Sequence, residues 1–243
     1  MNNLQNLEFN EEACKKCKGR YCASKVSIFS VLEEPQLKEV TDKIDRKIYK
    51  KGQMIFFEGD ISDKLYLINK GKVKIFKYTK EGKEQILYIL SEGEFVGDLS
   101  LLKKGEFKFN AEALEDVNMC QLTKDDFDDV LRKNPDMALK VLQVVYERIS
   151  KLETLIQSLS TKDIESRVSG LLLNFIKDFG VPKGNNVELD LPLSREDIAN
   201  YIGVTRETIS RKLNSMQEEG ILKLVGNKKI IIQDLEKLES LYE

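Results

Sequence analysis

Apolar and polar residues alternate through the first half of the chain, and the spacing becomes helical in the second half. Between Ile48 and about Leu122, runs such as KLYLINKGKVKIFKYT and EQILYILSEGEFVGDLSLL are rich in β-branched and aromatic residues and are divided by glycines. Short strands separated by glycine turns are typical of an antiparallel sandwich or barrel. We therefore predict an antiparallel β-domain over residues 31–136.

A long helix is predicted next, over residues 137–160, because neither glycine nor proline occurs between Met137 and Leu159. Apolar residues recur there at helical steps of 3, 4, 3, 4 and 3, and no charged residue interrupts them. The positions are Leu142, Val145, Ile149, Leu152, Ile156 and Leu159. The alternatives are a core helix packed on its own domain and a parallel homodimer seam. The polar flanks make the stripe narrow, which favours the dimer seam.

The last part of the chain, residues 161–243, contains the pattern of a winged helix-turn-helix. The stretch VPKGNNVELDLPLS is interpreted as a break before it. Ser194, with Asp197 three residues later, can cap a first helix that Gly203 ends. Thr205 can cap a second helix that runs to about Glu219. Two helices joined by a short glycine-containing turn, followed by two strands around Gly226, match a helix-turn-helix with a β-wing.

The first turns of that second helix are the candidate DNA-reading segment, because this part of such a unit enters the major groove. Arginine can pair with guanine, and glutamate can accept from the cytosine amino group. A solvated helix of mixed charge is the alternative, but the caps, the turn and the wing together favour a DNA reader. The candidate DNA-binding residues are Thr205, Arg206, Glu207, Ser210, Arg211 and Lys212. Ser210, Lys212 and Lys229 are candidates for phosphate contacts.

All four cysteines of the chain form one candidate metal site: Cys14, Cys17 and Cys22 in CKKCKGRYC, and the distant Cys120. Four thiolates without an imidazole suit an iron–sulfur cluster or zinc. A disulfide within the CxxC pair is the further alternative. The cationic neighbours of the N-terminal thiols favour thiolates and an anionic cluster. These neighbours are Lys15, Lys16, Lys18, Arg20 and Lys25.

Composition excludes several classes of protein. The 243 residues are 41% apolar, enough for one large or two small domains. The net charge of −2 implies that any contact with nucleic acid is local. Histidine is absent, which argues against common enzyme sites and haem ligation, so we expect no enzyme. No apolar run approaches the roughly 18 residues of a membrane span, and no signal peptide is visible. We therefore expect a cytoplasmic protein without a membrane partner.

Taken together, these features resemble the cyclic-AMP receptor protein/fumarate-nitrate-reduction regulator (CRP/FNR) family of bacterial transcription factors. The likeness covers essentially the whole chain and rests on GEFVGDLSLL, the long helix and SREDIANYIGVTRETISRKL. It implies an α+β fold with an N-terminal antiparallel, jelly-roll-like β-roll sensor domain. A long dimerisation helix and a C-terminal winged helix-turn-helix follow. The resemblance also implies RNA polymerase as a partner.

The resemblance further indicates which effector to expect. Cyclic-nucleotide members carry an arginine followed by serine or threonine where this chain has Phe109 and Asn110, so we expect no cyclic nucleotide. Without histidine we expect no haem. The fumarate-nitrate branch holds a [4Fe–4S] cluster on four cysteines, three near the N-terminus in residues 1–30 and one late in the β-roll, which implies that all four cysteines here are ligands. The gap between Cys17 and Cys22 holds four residues, one fewer than the branch implies.

The resulting hypothesis is an oxygen-responsive transcription regulator, with nitric oxide as a second candidate signal. It would bind a near-palindromic site in double-stranded DNA as a homodimer while the [4Fe–4S] cluster is intact. By family resemblance, a reading helix with the pattern Arg-Glu…Arg prefers TGTGA-like half-sites, and one with the pattern Glu…Ser-Arg prefers TTGAT-like half-sites. This chain has residues of both patterns. The alternatives are a regulator with structural zinc or another effector, and a redox enzyme or electron carrier.

Overall fold

The structure is a computed structural model that describes residue 23 and residues 26–97, 105–161, 163–184 and 186–242. The chain divides into two compact units. The first contains the described residues up to Ile75 together with Ile89–Arg148, and the second contains Phe76–Tyr88 and the chain from Ile149 onwards. Within the described residues, no helix has the length and apolar character that crossing a bilayer requires.

The described residues of the β-roll form ten strands, and their described pairings are antiparallel as predicted. The strands are β1 (Asp45–Tyr49), β2 (Met54–Phe56), β3 (Ile61–Ser62), β4 (Lys64–Lys70), β5 (Val73–Tyr78), β6 (Glu84–Leu90), β7 (Phe95–Val96), β8 (Gly105–Glu106), β9 (Asn110–Ala113) and β10 (Val117–Thr123). The sheets have the strand orders β1-β10-β4-β7, β2-β9-β5-β6 and β3-β8. This confirms the β-roll fold class.

Three of the described helices pack on the β-roll and contribute to its core. They are α1 (Glu34–Lys43), α2 (Lys124–Lys133) and the first part of α3 (Asp136–Thr161). Their buried residues join a hydrophobic cluster, here called the Cys120 cluster. Its members are Ala23, Val26, Ile28, Phe29, Leu32, Val40, Ile44, Leu65, Leu67, Phe95, Cys120, Leu122, Phe127, Val130, Met137 and Val141. Burial of each large apolar side chain stabilises the fold by about 1.5–3 kcal/mol, so this cluster fixes the helices on the sheet.

Both faces of β5 are covered, although its sequence alternates. Val73 and Ile75 are fully buried, and Lys74 and Phe76 on the opposite face are buried as well. The Lys74 ammonium lies 3.3 Å from a carboxylate oxygen of Glu112 on β9. A buried cation is tolerated only with such a partner, which explains how a charged residue occupies an enclosed strand.

Gly97, directly after β7, provides a stability prediction. Its φ is +103°, and a Cβ added there would lie 2.4 Å from the Lys64 carbonyl oxygen on β4. Gly97→Ala therefore combines backbone strain of about 1–3 kcal/mol with a backbone clash. Gly52→Ala is the matched control, since Gly52 also has positive φ (+78°) but nothing within 4 Å of the added Cβ. In urea unfolding, we expect Gly97→Ala to lose clearly more free energy of unfolding; equal losses would contradict the geometry.

The second unit contains the C-terminal winged helix-turn-helix that the sequence predicts. Its helices, after α3, are α4 (Ile164–Phe179), α5 (Arg195–Ile202), α6 (Arg206–Glu218) and α7 (Leu235–Ser240), and its strands are β11 (Gly180–Lys183), β12 (Asn186–Asp190), β13 (Leu222–Val225) and β14 (Lys229–Ile232). The sheet order is β11-β12-β14-β13.

One sequence interpretation needs correction here. VPKGNNVELDLPLS was interpreted as a break, but most of it belongs to β11 and β12. Val187 and Leu189 of β12 pair with Ile232 and Ile230 of β14, a strand that is distant in sequence. The pairing supplies the burial that so short a segment lacks alone, and a local pattern cannot show it.

Candidate nucleic-acid interface and cysteine site

Cys120 lies in the middle of β10, between β1 and β4. Its cross-strand partners are Arg46 on β1 and Leu67 on β4. The residue is 3% exposed and belongs to the Cys120 cluster. The other three predicted ligands, Cys14, Cys17 and Cys22, lie outside the described residues. Within the part of the chain that the structure describes, no group of three or more potential metal-ligating residues is found.

The residue after Cys22 belongs to the buried core that contains Cys120. Ala23 follows Cys22 directly in the sequence, is fully buried, and belongs to the same hydrophobic cluster as Cys120. Val26, Ile28 and Phe29 belong to the same cluster. The fold therefore brings the end of the cysteine-bearing segment to the core that surrounds Cys120, across a long gap in sequence.

The core around Cys120 is also linked to α3. Phe95 on β7 belongs to the Cys120 cluster. Arg148 of α3 donates a hydrogen bond to the Phe95 carbonyl oxygen, and its guanidinium lies 4.7 Å from the centre of the Phe95 ring. A cation over an aromatic face contributes about 0.5–2 kcal/mol in addition to the hydrogen bond. One side chain thus joins the long helix to the cluster that contains the buried cysteine.

The helix-turn-helix is formed by local capping, as the sequence predicts. Ser194 Oγ accepts from the Asp197 N–H at 3.1 Å, and an Asp197 carboxylate oxygen accepts from the Ser194 N–H at 2.9 Å. Gly203 ends α5 with φ 79°. Thr205 Oγ1 then accepts from the Thr208 N–H at 3.3 Å and begins α6. These contacts fix the angle at which α6 leaves the turn.

The predicted reading residues lie on the open side of α6. Ile209, Leu213 and Met216 are buried on the opposite side. Of the candidate DNA-binding residues, the exposed ones are Thr205, Arg206, Glu207 and Arg211, whereas Ser210 and Lys212 are partly buried. The Lys212 ammonium lies 3.2 Å from Glu165 on α4, so this predicted phosphate contact already has an intramolecular partner.

Glu207 is poised as a hydrogen-bond acceptor. Its own backbone N–H and the Thr205 hydroxyl hold the pKa of the Glu207 carboxyl below the ordinary value of 4.5, with smaller contributions from Arg206 and Arg211. The group is therefore ionised at neutral pH. An ionised carboxylate only accepts, which suits the cytosine amino group and does not suit guanine acceptors.

The wing is attached directly to α6. Leu224 of β13 donates its N–H to Gln217 Oε1 of α6 at 2.8 Å. Lys229, predicted as a phosphate contact, lies 2.6 Å from Glu188, and that carboxylate raises its pKa. Lys223 and Lys228 of the wing are exposed, and sequence reasoning missed them. Lys228 lies in the turn between β13 and β14, and Lys223 pairs with Ile231 within the ladder.

An apolar stripe on α3 corresponds to most of the predicted dimer seam. Leu142, Ile149 and Ile156 recur every seven residues and are 60%, 49% and 66% exposed. Val145 packs partly against the Cys120 cluster, and Leu152 is partly buried. The side chain of Leu159 is outside the described set. Leu139 and Tyr146 are also strongly exposed. The sequence analysis did not include these two residues in the stripe. Met137 and Val141 are buried on the β-roll, and this packing, which the sequence pattern does not show, decides which side of α3 is exposed.

At the position of the family's nucleotide-binding pair, both side chains are used internally. Phe109 makes ring contacts with Phe56 and Phe107. The Asn110 side-chain oxygen accepts from the Glu58 N–H at 3.0 Å. Neither residue brings a positive charge for a cyclic phosphate. The expectation that no cyclic nucleotide binds stays a prediction.

Comparison with known proteins supports both halves of the chain. The family model of the cyclic nucleotide-binding domain matches residues 46–134, and that of the Crp-like helix-turn-helix domain matches residues 166–241. The fumarate and nitrate reduction regulatory protein of Yersinia pestis is 33% identical over 231 residues, 94% of this chain and 89% of that protein. The CRP-like cAMP-activated global transcriptional regulator of Mycobacterium tuberculosis is 27% identical over 215 residues, 88% of this chain and 96% of that protein.

A solved structure supports the same fold. FixK2 from Bradyrhizobium japonicum superposes with a TM-score of 0.74 over 82% of this chain and 98% of that chain, at 24% identity. Of these two relatives, one is named as cAMP-activated and the other as a regulator of fumarate and nitrate reduction, so similarity identifies the family and leaves the effector open. On its two domains and its full-length relatives, this chain belongs to the CRP/FNR family of DNA-binding transcription regulators, and it is not an enzyme.

Proposed function

We propose that this protein is an oxygen-responsive transcription regulator whose specific DNA binding depends on a [4Fe–4S] cluster held by Cys14, Cys17, Cys22 and Cys120. The single observation that carries the proposal is the burial of Cys120 in the same hydrophobic cluster as Ala23, the residue that follows Cys22. The fumarate and nitrate reduction regulatory protein of Yersinia pestis, similar over most of the chain, supports the branch assignment.

The donor set fits the proposed group. Four thiolates and no imidazole suit an iron–sulfur cluster, and the chain has four cysteines and no histidine. The burial of Cys120 shields that ligand from water. When bound, the cluster supplies an oxygen-labile cross-link between the N-terminal segment and the β-roll. A single structural zinc on the same thiolates is the rival, and metal analysis separates the two.

The coupling from the cysteine site to DNA runs through residues of this chain. Ala23 and Phe95 belong to the Cys120 cluster, and Arg148 joins Phe95 to α3. Anchoring the segment before Ala23 therefore favours one packing of this cluster against the long helix. The iron–sulfur cluster can shift the equilibrium between the two states of the protein only by the difference in its affinity for them. The proposal is a homodimer through the α3 seam, which presents two copies of α6 to a near-palindromic operator.

In this proposal Arg206, Glu207, Ser210 and Arg211 read base edges from α6. Two-fold symmetry of the dimer implies half-sites about one helical turn apart. Arg211 and Glu207 would read the G·C pairs shared by TGTGA-like and TTGAT-like half-sites. An electron carrier would use the cysteines but would leave this exposed reading surface without a role, so DNA binding distinguishes regulator from carrier.

Arg211 and Lys212 should differ in their effect on specificity. Arg211→Ala is expected to cost about 1–3 kcal/mol at its own base pair, because a bidentate contact with guanine is lost. Lys212→Ala should weaken operator and random DNA alike and reduce the salt dependence, as loss of a phosphate contact does. Titrations with operator, single-base variants and random DNA at several salt concentrations measure both. An equal loss on random DNA in Arg211→Ala would contradict base reading.

A further inference from the structure

An arginine lies directly opposite the buried cysteine. Arg46 on β1 and Cys120 on β10 are cross-strand partners. Directly opposed residues of an antiparallel pair project to the same face of the sheet, with Cβ atoms about 4.5–5.5 Å apart. The Arg46 side chain therefore leaves the sheet on the face that carries the Cys120 thiol.

The surroundings of Arg46 are apolar on this face. Ile44, two residues earlier, belongs to the Cys120 cluster, as does Leu67 on the far side of Cys120. The Nε atom of Arg46 is buried, and none of the residues that the structure describes accepts a hydrogen bond from it. A buried donor without an acceptor is unfavourable, so a sulfur acceptor on this face would be stabilising.

The next residue provides an internal comparison. Lys47 is exposed, projects to the other face of β1, and has its ammonium 5.0 Å from the centre of the Tyr49 ring. Of these two adjacent cations, only Arg46 shares the face of Cys120. A general effect of positive charge on β1 would involve both residues, whereas a local one would involve Arg46 alone.

We propose that Arg46 is a positioning residue for the sulfur ligands, supplying a fixed positive charge and an N–H donor beside Cys120. The inference rests on the proposed function. Thiolate ligands make such a site anionic, and hydrogen bonds to sulfur together with nearby charge set how firmly it holds iron and at what potential it is reduced. The β1–β10 ladder holds the Arg46 backbone opposite Cys120, so the position of Arg46 on this face does not depend on the N-terminal segment.

Three variants of the full-length chain test the inference after anaerobic reconstitution: Arg46→Gln, Arg46→Lys and the matched control Lys47→Gln. Iron release to a chelator and the reduction potential are measured under nitrogen, without any DNA assay. Arg46→Gln should release iron about 10-fold faster than wild type, as expected when a partner of a metal ligand is removed. Its reduction potential should fall, because loss of a positive charge disfavours the added electron. Arg46→Lys should lie between the two, and Lys47→Gln should match wild type.

The outcomes are distinguishable. Equal iron release from Arg46→Gln and Lys47→Gln, with a cluster present in wild type, overturns the role of Arg46 and leaves the proposed function intact. A wild-type protein that takes up no iron and sulfide overturns the proposed function and this inference together. If Arg46→Gln does not fold, Arg46→Lys decides: faster iron release than Lys47→Gln supports the inference, and an equal rate overturns it.

Discussion

Substitution of Cys120 by alanine is expected to abolish cluster binding and to lower operator affinity by about 5- to 150-fold, the usual range for coupling between two sites. Cys120 is the proposed ligand that belongs to the β-roll, and Phe95, a member of the same hydrophobic cluster, is joined to α3 by Arg148. Without it, the proposed iron–sulfur cluster loses its ligand from the β-roll. Iron and sulfide content, followed by operator titration under nitrogen, measures both effects.

Cys17→Ala serves as the companion variant, because Cys120→Ala also removes atoms from a buried core. Cys17 is one of the three N-terminal thiols, so its replacement removes a proposed ligand without changing the β10 position of Cys120. We expect the same loss of iron and of operator affinity in both variants, with random-DNA binding retained. Full operator affinity in an iron-free Cys17→Ala protein would contradict the coupling.

Ile149→Lys is expected to convert the dimer to monomers and to weaken operator binding by about 100-fold or more. Linking two reading heads makes the second contact intramolecular, and loss of that linkage typically costs 10²–10⁴ in apparent affinity. Ile149 is 49% exposed at the centre of the α3 stripe, between Leu142 and Ile156. A lysine there would place an unpaired charge in the predicted dimer seam.

Gln143→Lys is the matched control on the same helix, since Gln143 is exposed and contacts Glu147 rather than the apolar stripe. It should remain dimeric and bind the operator normally.

The predicted seam positions of the α3 stripe carry no charge. We therefore expect wild-type protein without the iron–sulfur cluster to remain a dimer, so that loss of the cluster changes the conformation of the dimer. Gel filtration of apo-protein as a monomer would refute that expectation.

The reading half could be predicted from sequence because its geometry is local. The Ser194 capping box, the positive φ of Gly203 and the Thr205 cap each depend on residues within three or four positions. A burial pattern with Ile209, Leu213 and Met216 on one side of the helix then leaves Arg206 and Arg211 exposed. These features specify a helix-turn-helix with little help from the rest of the chain.

The remaining features depend on register and packing between distant segments. That Arg46 faces Cys120 follows from the β1–β10 pairing, which no local pattern contains. The strand β12 is stabilised by β14, more than 40 residues later. The partial burial of Val145 and the exposure of Tyr146 follow from the way α3 packs on the β-roll. Tertiary contacts decide these points, so the sequence alone could not.

Anaerobic reconstitution, with iron, sulfide and DNA binding measured on one sample before and after air, tests the central claim most directly. The account predicts about four iron and four sulfide per chain, bound by the four cysteines. It also predicts visible absorption that disappears in air, together with a fall in operator affinity. A chain that binds a single zinc, absorbs no visible light and reads its operator equally well with and without air would contradict it.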